Sequence, residues 1–178
     1  LHRSSDIRRL TAGAPAIEQS AYAIDEETGE LVRCRPDIYS HDMRVMADLK
    51  ATTDAGPWQF SKRIEEFGYH CQEGVYSEVW ENAGGGVVDA FLFIAVERKA
   101  PHAYKLYELP PSAAAEGYAA YRSALGRWHE CMEKERAVRG PDGPDRDAML
   151  RDCWPMYGDG VSEIDLPRYG YKLTQREE

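Results

Sequence analysis

The sequence has 178 residues, 43% hydrophobic and 30% charged, a balance that fits one globular domain and excludes a disordered or fibrous chain. It contains no apolar run of about 18 residues, so no membrane span is expected, and its opening Leu1-His2-Arg3-Ser4 lacks the apolar core of a signal peptide. The formal net charge of −9 argues against a chain that coats nucleic acid non-specifically, although a total says little about the charge inside one cleft.

Residues 1–17 are polar with Ala, Gly and Pro and predict a short helix followed by a loop. Alternation over 18–25 and 31–35, around the turn Glu26-Glu27-Thr28-Gly29-Glu30, predicts a β-hairpin whose second strand closes at Arg35-Pro36-Asp37. Residues 44–50 predict a further strand. Asp54-Ala55-Gly56-Pro57 opens a helix with Pro in its first turn, and Phe60, Ile64 and Phe67 give that helix one apolar face. Gly68 stops it, and a second helix is expected from Tyr69 to Trp80, ended by Asn82 and the triple glycine 84–86. Residues 87–97 are the most hydrophobic stretch and predict a buried central strand, with its neighbour over 103–109. Pro110-Pro111-Ser112 opens a long helix to Ala137, and 139–152 form a charged Pro/Gly loop. The order predicts an α/β fold, a mixed sheet flanked by helices.

Cys34, Cys71, Cys131 and Cys153 are scattered without a CxxC pair, which argues against a zinc ribbon or an iron–sulfur cluster. Without a secretion signal, reduced thiols and a cytoplasmic location are expected. His41, His70, His102 and His129 have no metal-ligand spacing and are expected to be structural or surface residues.

The chemistry concentrates elsewhere. In Asp48-Leu49-Lys50, residues two apart on a strand project a carboxylate and an ammonium to the same side. Asp37, on a neighbouring strand, supplies a second carboxylate. Two carboxylates with the Leu49 carbonyl form a hard, oxygen-rich site suited to Mg²⁺ or Mn²⁺, as phosphodiester hydrolysis requires. Lys50 would orient an attacking water and offset developing negative charge. Gln72 and Tyr76, four apart on a helix, share a face. A D-x-K triplet alone is common, and Glu18 alone is an ordinary solvated carboxylate; the order and context of the set carry the reading.

Taken together, Cys34-Arg35-Pro36-Asp37, the run Ala47-Asp48-Leu49-Lys50-Ala51-Thr52-Thr53-Asp54 and the run Gly68-Tyr69-His70-Cys71-Gln72-Glu73-Gly74-Val75-Tyr76 resemble the nuclease domain of the exodeoxyribonuclease VIII (RecE) family. These nucleases are phage or prophage members of the PD-(D/E)XK superfamily. Phe91-Leu92-Phe93 and the tail Cys131…Trp154-Pro155 also fit, so the resemblance covers most of the chain. It implies a single nuclease domain over 1–178 with a restriction-endonuclease-like fold. It implies metal ligands at Asp37, Asp48 and the Leu49 carbonyl, with Glu18 as an additional acidic residue. It further implies a catalytic Lys50 supported by Gln72 and Tyr76. The implied activity is Mg²⁺-dependent degradation of linear double-stranded DNA from 5′ ends in recombination and repair, with a single-strand annealing protein as partner and a toroidal homo-oligomer as the working form. Family members usually carry an upstream helical segment with a His near the active site, and the chain is expected to lack it. A structure-specific endonuclease and a non-catalytic DNA-binding relative are the alternatives on the same fold.

Overall fold

The computed structural model describes residues 4–138 and 153–154. The elements in chain order are α1 (Ser5–Leu10), β1 (Ala16–Ile17), β2 (Ala21–Ile24), β3 (Leu31–Cys34), β4 (Ile38–Ser40), β5 (Val45–Thr52), α2 (Pro57–Glu66), α3 (Tyr69–Asn82), β6 (Ala90–Glu97), β7 (Tyr104–Tyr107) and α4 (Pro111–Val138). The chain divides into two compact units, Leu1–Glu130 and Cys131–Glu178, and the sheets belong to the first. In the second, Trp154 Nε1 donates to Glu135 Oε2 at 3.2 Å. The charged loop expected over 139–152 lies outside the described residues. No disulfide joins the four cysteines, and no helix among the described residues is long and apolar enough to cross a membrane.

The main sheet has the order β1-β4-β5-β6-β7. Only the β5–β6 pair is parallel, and α2 and α3 form its crossover. The expected mixed sheet flanked by helices is therefore present. Both faces of β5 are covered, because Val45, Met46, Ala47 and Asp48 are all buried. Met46 packs with Phe60, Val79, Trp80, Phe91 and Phe93 on the α2/α3 side. Val45 and Ala47 pack with Ile7, Leu10 and Ile94 on the α1 side.

Two expectations are corrected. The loop expected before residue 18 contains β1, whose Ala16 and Ile17 pair with Tyr39 and Ile38. The hairpin exists, with Ile24 opposite Leu31, but it forms a separate two-stranded sheet and closes at Cys34 rather than Asp37. Pro36 has no N–H to give a ladder, so the chain leaves the hairpin there and starts β4 at Ile38. Arg122 of α4 ties the hairpin to α3, pairing with Asp25 and Glu27 of the hairpin and with Glu78 of α3, and its hydrogen bond to Asp25 keeps that carboxyl at about 2, against the upward push of burial.

Gly68 does more than stop a helix. Its φ of 63° is left-handed, which glycine adopts without strain. It ends α2 and opens α3 with no intervening loop. Helix α3 then meets α4 at a close crossing. A Cβ at Gly74 would sit 3.1 Å from Tyr118 Cα, and one at Gly117 would overlap the His70 carbonyl.

Glu73 of α3 lines a groove with Ala114, Ala115 and Tyr118 of α4. Its Oε2 is buried and has no hydrogen-bond partner among the described residues. Burial, helped by the charge of Glu108, pushes its carboxyl up from 4.5 to about 7. The folded chain thus holds this proton more tightly than the unfolded chain. The resulting stability is complete below the unfolded value and is lost as pH rises through about 7. Glu73→Gln should flatten that decline, so its urea midpoint should gain on wild type between about pH 5 and about pH 8. An equal decline in both proteins would show that Glu73 is not its source.

Candidate active site

The site starts from the β4–β5 ladder. Ile38 pairs with Ala47 in an antiparallel register. The next step of that register sets Asp37 opposite Asp48. Asp37 Oδ2 accepts the Leu49 N–H at 2.6 Å, which fixes the first carboxylate against β5. Side chains alternate along β5, so Asp48 and Lys50 follow Met46 to the α2/α3 side.

Gln72 reaches this pair from α3. Its Nε2 donates to Asp48 Oδ1 at 2.6 Å, and its Oε1 accepts from Lys50 Nζ at 2.5 Å. Lys50 Nζ also donates to Asp48 Oδ2 at 2.6 Å. The three side chains form a closed ring in which both Asp48 oxygens are satisfied. The Asp48 side chain is 7% exposed and that of Lys50 14%, so these contacts are shielded from water and screened little by salt. Burial raises the Asp48 pKa, the Asp37 charge adds to that, and Lys50 and Gln72 pull the other way.

Glu18, Asp37, Asp48, Leu49, Lys50, Gln72 and Tyr76 all line one cavity of about 480 Å³. The route by which Glu18 arrives differs from expectation. It follows β1, and its N–H donates to the Asp37 carbonyl at 3.1 Å. The β1–β4 ladder brings it in, not a strand of the hairpin. Its carboxylate is half-exposed and pairs with Arg35 at 3.1 Å. Tyr76 meets Phe91 edge-on, and burial, with the Asp48 charge behind it, raises its phenol pKa.

Tyr69, Arg33 and Arg35 had no role at the site in the sequence reading. The Tyr69 ring lies 4.2 Å from Lys50 Nζ and supports the ammonium by a cation–π contact. Its position three before Gln72 on the same helix face was the available signal. Arg33 and Arg35, two apart in sequence, add positive charge to the cavity wall. Cys34 lines the cavity too, but burial pushes its thiol up to about 11, which disfavours the thiolate. None of the four histidines singled out in the sequence lines this cavity.

Asp37, Asp48 and the β5 backbone supply the oxygen donors that a hard divalent cation takes, one of them a buried carboxylate that a cation would stabilise. Among the described residues no cluster of three or more His, Cys, Asp or Glu side chains is arranged to hold a metal. The donor set therefore fits an ion that keeps several waters or substrate oxygens, as Mg²⁺ does, and does not fit a closed structural zinc site.

Among solved structures, the chain is similar to the crystal structure of a candidate exonuclease from Eubacterium rectale, with a TM-score of 0.59 at 15% identity. The alignment covers 99% of this chain and 62% of that one, so the chain spans less than two thirds of its neighbour's length. At this identity the likeness establishes the fold. No curated protein sequence matches the chain. The family described as PDDEXK-like domain of unknown function (DUF3799) matches residues 2–141. That match takes in the whole main sheet, α2, α3 and every residue of the Asp48–Lys50–Gln72 ring, and the chain belongs to this PDDEXK-like family.

Proposed function

We propose that the chain is a metal-dependent DNA nuclease that hydrolyses phosphodiester bonds, with its active site at Asp37, Asp48, Lys50, Gln72 and Tyr76. The observation that carries this reading is the hydrogen-bonded ring of Asp48, Lys50 and Gln72 beside Asp37 on one open cavity. A divalent cation, Mg²⁺ or Mn²⁺, held by Asp37, Asp48 and the Leu49 carbonyl with Glu18 at the margin, would supply charge to the scissile phosphate and acidify water. Lys50 orients the attacking water and offsets charge that builds on the phosphoryl oxygens as the P–O bond breaks. Gln72 holds Lys50 and Asp48 in fixed relation, and Tyr76 shapes the wall where the strand enters.

By resemblance to the exodeoxyribonuclease VIII family, the substrate is linear double-stranded DNA, degraded from 5′ ends during recombination and repair. The same resemblance supports an annealing protein as partner and a ring of identical subunits. End-labelled linear duplex and closed circular duplex, each incubated with Mg²⁺, Mn²⁺ or chelator, test the proposal. Loss of label from the linear substrate alone, only with metal, is expected. Cutting of the circle would make the protein an endonuclease. DNA binding with no cutting under either metal would overturn the enzymatic reading.

Gln72→Ala and Tyr76→Phe should lower the cleavage rate by less than loss of either carboxylate, because neither side chain donates oxygen to a cation. Steady-state rates on linear duplex check this. A Gln72→Ala defect as deep as that of Asp48→Asn would mean that Gln72 takes part directly.

A further inference from the structure

Lys50 is a wall of two cavities. On its far side from Asp37 lies a second, of about 200 Å³, lined by Thr53, Arg63 of α2, Arg98 beyond β6, and the Phe67 and Tyr69 rings. No Asp or Glu lines it. In a chain of net charge −9, three cations around so small a space is a local reversal of sign.

Arg63 Nη1 meets Glu66 Oε2 at 3.2 Å, in a pair whose side chains are 36% and 59% exposed, so solvent weakens its hold on the guanidinium. Arg98 is exposed and has no ion-pair partner among the described residues. Its backbone N–H donates to the Thr52 carbonyl at 3.0 Å, which pins its Cα at the rim. The carboxylates that pair with Lys50 and Arg63, Asp48 and Glu66, do not line this space, and Arg98 brings no carboxylate, so the wall carries an excess of positive charge that an anion between the side chains would offset. Arginine is also the side chain best shaped to grip phosphate oxygens in pairs. The Phe67 ring is 54% exposed, with the Arg63 guanidinium over it and the Tyr69 ring stacked against it, so an apolar aromatic wall stands beside the arginines.

Resting on the nuclease reading of the neighbouring cavity, the geometry points to a second phosphate subsite at Arg63 and Arg98. It holds a backbone phosphate of the strand whose scissile phosphate lies across Lys50, with the exposed Phe67 ring as the apolar wall beside it. A strand running from one cavity to the other passes the Lys50 ammonium, so this subsite sets the register of the scissile bond.

Fluorescence anisotropy of a labelled duplex in chelator tests the subsite without requiring cleavage. The Arg63→Gln/Arg98→Gln double variant should bind about tenfold more weakly, and the slope of log affinity against log salt should fall by about one. Arg63→Lys/Arg98→Lys should keep most of the slope. An equal charge change on α1, Arg8→Gln/Arg9→Gln, sits across the sheet and should leave the slope unaltered. An unchanged slope in the Arg63/Arg98 glutamine variant, or an equal fall in the α1 variant, overturns the subsite. Wild-type protein that binds with the expected slope but never cuts overturns the nuclease reading and not the subsite.

Discussion

Asp48→Asn is expected to reduce cleavage of linear duplex DNA to the level of the chelated wild type while leaving the fold intact. The swap is nearly isosteric, and Asp48 is buried at 5% exposure, so the packing around it is kept. It removes the charge that a hard cation needs. It also breaks the ring, because an amide oxygen accepts from Lys50 Nζ or from Gln72 Nε2, but its nitrogen cannot accept from the other. Stability should not fall with activity, since the replaced group is one whose charge is disfavoured by burial. Single-turnover rates at saturating Mg²⁺, alongside the urea midpoint, decide it. Near-wild-type turnover would remove Asp48 from the active site. Asp37→Asn should behave likewise, keeping an oxygen for the Leu49 N–H but losing the second charge.

Lys50→Ala should slow the chemical step by about 10²–10³-fold, the scale of losing one preorganised electrostatic group. The ammonium is held by Asp48, Gln72 and the Tyr69 ring together, so it is aimed before substrate arrives and spends no energy on reorganisation. Metal affinity should change little, because Lys50 offers no lone pair to a cation. Mg²⁺ titration of the rate separates the two effects. A rate unchanged in Lys50→Ala would leave the residue a purely structural role, and a large rise in the Mg²⁺ requirement would point to collapse of Asp48 instead.

The parts of the site legible in the sequence were those fixed by local geometry. Asp48 and Lys50 share a side because residues two apart on any strand do, and Gln72 and Tyr76 share a side because residues four apart on any helix do. Chain order and motif supplied their convergence. The illegible parts depended on very short strands. β1 has two residues and β4 three, too few for alternation to register, so the ladder that carries Asp37 and Glu18 to β5 left no pattern. Glu18 was assigned to the right cavity through the wrong pairing, because the hairpin that follows it is the stronger local signal. Arg63 and Arg98 sit on α2 and beyond β6, distant in sequence, and only the parallel β5–β6 crossover brings them to one pocket.

The glycine crossing of α3 and α4 has a mechanical consequence. Gly117 abuts His70 and Cys71, and Gly74 abuts Tyr118, so the two contacts bracket Gln72 along the helix. At Gly117 backbone faces backbone, and at Gly74 the backbone faces Tyr118, its Cα and the root of its ring. A joint of this kind has little play: an added Cβ at Gly117 would force the backbones apart, and one at Gly74 would press Tyr118 back by a few tenths of an ångström. Gln72, carried between the two bearing points, thus inherits its aim at Asp48 and Lys50 from a fitting some residues away. Variation at Gly74 or Gly117 would therefore be felt as misalignment at the cavity, through residues that touch neither carboxylate nor ammonium.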